Sequence, residues 1–120
     1  FIQPSITISQ AKAGKLKVLA VTSKNRLASW KEAPPIGDSV PGYEANSWQG
    51  VVAPAGTPKP IINRLHTEIV KALKSPEITG RLVAEGSEIG GISPDEFGRY
   101  IRTEITKWKK VVVDAKIQLD

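Results

Sequence analysis

Residues Ser47 to Pro60, SWQGVVAPAGTPKP, join a short apolar run directly to a Gly/Pro turn and the start of a helix. Val51 to Ala53 suit a buried strand, and Pro54 to Gly56 end it. Thr57 can then cap a helix whose first residue is Pro58. A strand, a tight turn and a helix in direct succession predict an α/β domain, with a strand over 48–53.

The beginning of the chain repeats this pattern on a smaller scale. Phe1 and Ile2 look like the end of a strand, Gln3-Pro4-Ser5 forms a turn, and Ser5 can cap a helix ending near Ala13. Gly14 supplies the left-handed residue that stops such a helix. The β-branched, almost wholly apolar run from Leu16 to Thr22 then predicts a central strand covered on both faces.

The segment from Ser23 to Asn46 is polar and rich in proline and glycine, which excludes a long helix and predicts a surface loop. Trp30 and Tyr43 are its expected anchors. A lid over a binding site and a packed structural connection are both compatible with it, and the second is favoured.

Three helices are predicted after the central strand. The first runs from Pro58 to Lys74, and the second starts at Ser75 and closes at Gly86. The third begins with a capping box between Ser93 and Glu96. Its apolar stripe predicts docking along its whole length. The stripe comprises Phe97, Ile101, Ile105, Trp108, Val112 and Ala115.

Composition narrows the class of protein. The 120 residues are 40% hydrophobic and include no cysteine, which excludes disulfides, thiolate metal sites and a cysteine nucleophile. No apolar run approaches the roughly 20 residues needed to cross a bilayer. Because the sequence has no methionine and begins on strand-like Phe1-Ile2, we expect a fragment of a longer protein.

The net charge is +5, which suits an anionic partner such as nucleic acid, lipid or a small anion. The basic residues are dispersed over predicted helix surfaces, so a solvated face is the favoured interpretation. The tryptophans also lie on separate elements and form no stacking platform. A basic interaction or regulatory domain that binds a protein or nucleic acid remains the alternative function.

Catalytic chemistry finds little support in the residues. His66 is the only histidine, and no second histidine or acidic pair completes a ligand set around it. The serines at 5, 23, 47 and 93 sit in caps or loops without a nucleophile elbow. The sequence therefore predicts no enzyme, metal or cofactor.

Two helix starts offer backbone N–H groups to an anion. At Ala55 to Thr57 the signal is weak, because Pro58 and Pro60 remove two donors. The Gln3-Pro4-Ser5 turn is the better candidate, since it adds an amide and a hydroxyl just past a strand's carboxyl end. A simple capped turn explains it equally well.

A series of motifs, in order along nearly the whole chain, resembles the Bug/TctC family, the extracytoplasmic solute receptors of tripartite tricarboxylate transporters. The motifs are Ala13-Gly14-Lys15-Leu16, Ala20-Val21-Thr22-Ser23, Pro41-Gly42-Tyr43-Glu44, Trp48-x-Gly50, Ala53-Pro54-Ala55-Gly56-Thr57-Pro58, Pro76-Glu77, Arg81-Leu82, Pro94-x-Glu96-Phe97 and Lys107-Trp108.

The resemblance implies the C-terminal portion of a type II periplasmic binding protein-like α/β fold, with two lobes closing on a small carboxylated ligand. Residues 1–22 would form the end of the second lobe and the crossover strand, and residues 23–120 the C-terminal part of the first lobe, as one structural unit. The implied partners are that ligand and a membrane permease, not nucleic acid. The implied location is the periplasm, with a signal peptide upstream.

The resemblance also implies a site. The turn of Gln3, Pro4 and Ser5 would lie near the cleft, with Gln3 a polar ligand contact and Ser5 a cap donor. Two departures from the family pattern are the segment Pro34 to Asp38 and Lys116, which stands where glycine is common. As a fragment, the chain is expected to bind ligand poorly and to self-associate.

Overall fold

The computed structural model describes residues 1–118, and its regular structure is helical. Helix α1 spans Pro4–Lys12, α2 Lys59–Leu73, α3 Pro76–Ala84 and α4 Pro94–Asp114, with a short 3-10 helix at Ile36–Asp38. The only β pairing among these residues is an isolated parallel bridge between Val21 and Pro35. Helix α2 packs against both α3 and α4.

Prolines determine where the first two helices begin. A proline at the first helical position has its φ already set and lacks only an N–H that a helix start leaves unpaired. Pro4 therefore starts α1 with Gln3 at the N-cap, and the prediction that Ser5 caps this helix is wrong. Thr57 likewise does not cap α2. Its Oγ1 donates to the Pro54 carbonyl at 2.8 Å, closing the turn, and Pro58 takes the N-cap position.

The capping box predicted for α4 is confirmed. The Glu96 amide donates to Ser93 Oγ at 3.3 Å, while the Ser93 amide and hydroxyl donate to Glu96 Oε2 at 3.0 and 2.6 Å. These bonds lower the pKa of Glu96, with the Ser93 hydroxyl as the main cause. The start of the longest helix is thus specified by four consecutive residues.

Three helices end in the same Schellman motif. After α1 the Lys15 amide donates to the Gln10 carbonyl, after α3 Ser87 donates to Leu82, and after α4 Ile117 donates to Val112. The left-handed residue in these motifs is Gly14, Gly86 and Lys116, respectively. Lys116, with φ 51°, is the only residue other than glycine with a positive φ in residues 1–118, which explains why a glycine is expected there.

None of the predicted strands, at 1–2, 16–22 and 48–53, is formed within residues 1–118. Residues 17–20 and 43–54 run without helix, turn or bend, yet neither is paired as a strand. A strand needs a neighbouring strand to take its N–H and C=O groups, and the described chain supplies only the Val21 bridge. The strand predictions are wrong for this chain because the pairing they require is not local.

The surface of the described chain is unusually large. Its radius of gyration is 17.2 Å, against about 13.6 Å for a compact chain of this length. The buried hydrophobic residues are Val21 and Ala33. The α4 stripe docks at its Phe97 end, but Ile105, Trp108 and Val112 are exposed, so the prediction of docking along the whole helix is wrong.

The connection from 23 to 46 is packed around that small core. Arg26 Nη1 donates to the carbonyls of Lys31 and Glu32 at 3.1 and 3.3 Å. The Val21 amide donates to the Pro34 carbonyl at 2.9 Å, and Trp30 and Tyr43 are half-buried. These contacts match the structural connection that the sequence favours over a lid.

Candidate functional site

The turn at Gln3 is tied to the Ser47–Pro60 stretch by one hydrogen bond. Gln3 Nε2 donates to Ser47 Oγ at 3.1 Å, across 44 positions of sequence. The bond fixes the amide's orientation, leaving its second N–H and its oxygen for other partners. The two segments that the sequence singles out separately therefore meet in space.

Pro4 anchors the same turn to the end of α3. A Cβ built on Gly86 would lie 2.6 Å from Pro4 Cβ, so the Pro4 ring packs against the Gly86 backbone at a distance that only glycine permits. Gly86 also has φ 81°, which disfavours any other residue. The same built atom lies 3.7 Å from Ser29 Oγ, which brings a further hydroxyl to the neighbourhood of the turn.

Ser5 is exposed at the start of α1. Within residues 1–118 no backbone carbonyl accepts its amide, and the first amide of the helix to be paired is that of Ile6, which donates to the Gln3 carbonyl at 3.1 Å. The turn thus presents the Gln3 amide, the Ser5 hydroxyl and a free N–H at a helix N-terminus. Donors of this kind suit a carboxylate oxygen.

An aromatic cluster holds the residues that follow Ser47 against α4. The Trp48 ring meets Phe97 and Tyr100 edge to face, with centroids 5.5 and 5.6 Å apart. Gly50 lies under Phe97: a Cβ there would overlap the ring and come within 2.6 Å of Cε1. Burial in this cluster is the main cause that raises the pKa of Tyr100. The Trp48-x-Gly50 motif is therefore a packing requirement.

His66 makes structural contacts. Its Nε2 lies 3.3 Å from the Gly91 carbonyl oxygen and 3.1 Å from that of Ile92. Since carbonyls only accept hydrogen bonds, this nitrogen carries a proton and fastens the start of α4 to α2. Within the part of the chain that the structure describes, no group of three His, Cys, Asp or Glu side chains is arranged to hold a metal ion.

Two shallow surface depressions lie on single helices. One, of about 420 Å³, is lined on α4 by Arg102, Thr103, Thr106 and Lys107. The other, of about 260 Å³, is lined on α2 by Ile61, Arg64, Leu65 and Glu68. Neither is lined by a residue of the Gln3 turn.

Over residues 1–118, no helix is long and apolar enough to span a membrane.

Comparison with known protein families identifies the family of this chain. The family described as the tripartite tricarboxylate transporter family receptor, TctC, matches residues 2–117. The chain belongs to this family. The resemblance predicted from the motifs is thereby confirmed, and the match covers nearly all of the described residues.

Relatives of the TctC chain include a protein encoded in the tcbD-tcbE intergenic region of Pseudomonas sp. strain P51. The two are 33% identical over 107 residues, covering 88% of this chain and 32% of the relative. The structure of Rpa4515 from R. palustris with adipate matches at 38% identity and a TM-score of 0.79. That match covers 94% of this chain and 38% of Rpa4515. The periplasmic binding protein BugD matches at 28% identity and a TM-score of 0.79, over 93% of this chain and 38% of BugD.

The chain therefore spans about a third of the length of these three relatives. Its helices and irregular segments follow the path of part of a periplasmic binding protein, which confirms the predicted fold class. The sequence did not reveal the Gln3–Ser47 and Pro4–Gly86 contacts. Gly50 in the Trp48-x-Gly50 motif and Gly86 at the end of α3 mark positions where another residue comes close. The sequence does not show which residue that is.

Proposed function

We propose that this chain forms part of a periplasmic receptor that binds a small carboxylated molecule and presents it to the permease of a tripartite tricarboxylate transporter. The receptor acts by binding and lobe closure, without catalysis or a cofactor. The Gln3-Pro4-Ser5 turn contributes one wall of the ligand cleft.

The observation that carries this proposal is the similarity to Rpa4515, whose structure holds the dicarboxylate adipate. At 38% identity and a TM-score of 0.79, the chain shares that receptor's fold over almost all of its own length. A dicarboxylate is therefore the first class of ligand to test on this protein.

The turn supplies donors for such a ligand. Three neutral donors are available: the second N–H of the Gln3 amide, the Ser5 hydroxyl and the Ser5 N–H. These donors can bind a carboxylate without a basic side chain in the cleft. Charge-assisted bonds to a carboxylate are shorter and stronger than neutral ones. The net charge of +5 adds a modest attraction for anions at physiological salt.

Calorimetric titration of the full-length receptor with dicarboxylates, tricarboxylates, amino acids and aromatic acids tests the proposal. We expect a Gln3→Ala variant to bind the best ligand about tenfold more weakly, because one hydrogen bond to a charged group is lost. Gln10→Ala is the matched control. Gln10 is an exposed glutamine on α1, the helix that follows Gln3, and its replacement should change the affinity less than about twofold.

Two results distinguish a failure of the proposed ligand class from a failure of the proposed binding site. If no member of the panel binds, the receptor does not recognise carboxylates. If a carboxylate binds but Gln3→Ala and Gln10→Ala behave alike, the function stands and the Gln3 turn is not its site.

A further inference from the structure

Ser47 carries a hydroxyl that the fold orients but does not use as a donor. Its Oγ accepts the hydrogen bond from Gln3 Nε2 at 3.1 Å, and both residues are exposed. An amide nitrogen can only donate, so the proton of the Ser47 hydroxyl is directed away from Gln3. Within residues 1–118 that proton is donated to no acceptor. Ser47 therefore has a fixed neighbour and a proton left to donate.

The residues on both sides of Ser47 hold it in place. On one side, the Ala45 amide donates to the Thr22 carbonyl at 3.1 Å. On the other side, the Trp48 ring packs edge to face against two aromatic rings of α4. Because its neighbours are anchored, the Ser47 hydroxyl stays beside Gln3 without being buried itself. A donor that is already in position loses little conformational entropy when a ligand binds.

The bond between Gln3 and Ser47 contributes little to the stability of the fold. Both groups are exposed, so water would take the place of either partner if the bond broke. The larger effect of the bond is on which protons remain for a ligand. One N–H of the Gln3 amide and the O–H of Ser47 are left, on atoms that touch each other.

These two remaining protons suit a single carboxylate group. Gln3 Nε2 and Ser47 Oγ lie 3.1 Å apart, close enough for each to donate to a different oxygen of the same carboxylate. The hydroxyl also accepts from the amide, and consecutive hydrogen bonds of this kind polarise and strengthen one another. The pair can therefore bind an anion more strongly than two separate neutral donors.

We propose that Ser47 is a ligand-binding residue, whose hydroxyl and the remaining N–H of Gln3 together hold one carboxylate of the ligand. The assignment rests on the proposed carboxylate-binding function and adds to it a residue of the Ser47–Pro60 stretch. Ser47 directly precedes the Trp48-x-Gly50 motif. The motif packs this part of the chain against α4, and Ser47 uses the resulting position to bind.

Calorimetric titration of the full-length receptor with adipate, the dicarboxylate in the Rpa4515 structure, measures the contribution of the hydroxyl. We expect Ser47→Ala to weaken binding at least about tenfold, because a hydrogen bond to a charged group is lost. Ser47→Thr keeps a hydroxyl and should stay within about threefold of the wild type. Ser39→Ala is the matched control. Ser39 is exposed at the end of the 3-10 helix, and its replacement should change the affinity less than about twofold.

A second comparison separates direct binding from an effect on Gln3 alone. In a Gln3→Ala background there is no amide for Ser47 to orient, so only its own contact with the ligand remains. We expect Ser47→Ala to weaken adipate binding about fivefold further in this background. The melting temperature should stay within about 2 °C of the parent protein, because both side chains are exposed. A larger fall would assign the bond to the fold and overturn the inference.

Two further results would overturn it while leaving the proposed function in place. One is a receptor that binds adipate, or another carboxylate of the panel, equally well as Ser47→Ala and as Ser39→Ala. The other is no additional loss from Ser47→Ala in the Gln3→Ala background, which would make Ser47 a positioning residue only. If the wild-type receptor binds no carboxylate of the panel, the proposed function fails and the assignment of Ser47 fails with it.

Discussion

Glu104 is the buried charged residue of the described chain, with 7% of its surface exposed. It forms an ion pair with Lys107 and accepts a hydrogen bond from the Trp108 indole, Nε1 to Oε2, at 3.0 Å. The Lys107 ammonium lies 5.5 Å from the centre of the Trp108 ring. One carboxylate thus orders two side chains on the next turn of α4, and these are the residues of the Lys107-Trp108 motif.

The environment of Glu104 predicts how the chain responds to acid. The hydrogen bond from Lys107 is the main cause that lowers the pKa of Glu104 below 4.5, opposed by burial and assisted by Trp108. Because the pKa is lower in the folded chain than in the unfolded chain, the carboxylate stabilises the fold above about pH 4.5. That contribution is lost as the pH falls through the folded-state pKa.

We therefore expect Glu104→Gln to destabilise α4 by about 1 kcal/mol at pH 7 and to reduce the loss of helicity between pH 5 and pH 3. Far-UV circular dichroism during urea titration at several pH values measures both effects. Asp114→Asn is the control, since Asp114 pairs with Lys110 at 2.6 Å on the same helix but both side chains are exposed. It should shift the urea midpoint by an amount equivalent to less than about 0.5 kcal/mol. A Glu104→Gln profile parallel to the wild type contradicts the assignment.

At the scale of elements, the helix ends are specified by neighbouring residues and the strands are not. The predicted helix from Pro58 to Lys74 is observed as Lys59–Leu73, and the predicted capping box at Ser93 is present. Both depend on contacts within four residues, which a sequence displays directly. The strand predictions at 16–22 and 48–53 depend on partners distant in sequence, and the described chain does not contain them.

The candidate site shows the same division. The Gln3 turn can be recognised from its residues, because an amide, a proline and a serine before a helix have local meaning. Its attachment to Ser47 and Gly86 cannot, since those contacts bridge more than 40 positions. The sequence therefore predicted the donors of the turn but not the scaffold that orients them.

Lys116 gives a prediction for the end of α4. Lys116→Gly should stabilise the helix terminus by about 1 kcal/mol or less, because it relieves a left-handed conformation that costs other residues about that much. Lys109→Gly is the matched control on an exposed position inside the same helix. It should destabilise the helix by about 1 kcal/mol. Urea midpoints from circular dichroism should shift in opposite directions, and a shift of both in the same direction would count against the strain assigned to Lys116.

At the scale of the whole molecule, the described chain combines well-specified helices with a small core that lies in the connection between α1 and α2. Val21 and Ala33 are buried, and His66 on α2 contacts the carbonyls of Gly91 and Ile92 in the segment before α4. Exposed apolar residues are distributed over all four α-helices and over residues 46–53. The predicted division into residues 1–22 and 23–120, and the predicted C-terminal position within the receptor, remain predictions.

The excess of exposed surface has a thermodynamic consequence. The heat capacity change of unfolding follows the apolar surface that unfolding exposes, and a compact domain of 120 residues shows about 1.4 to 1.8 kcal/mol/K. The unfolded chain exposes about 18,900 Å², so this chain buries about 9,000 Å² on folding, against about 12,600 Å² for a compact chain. Scanning calorimetry of the chain alone should therefore give about 70% of this heat capacity change and a broader transition. A sharp transition with a full heat capacity change would mean that the chain, by itself, buries far more apolar surface than its 9894 Å² of exposed area implies.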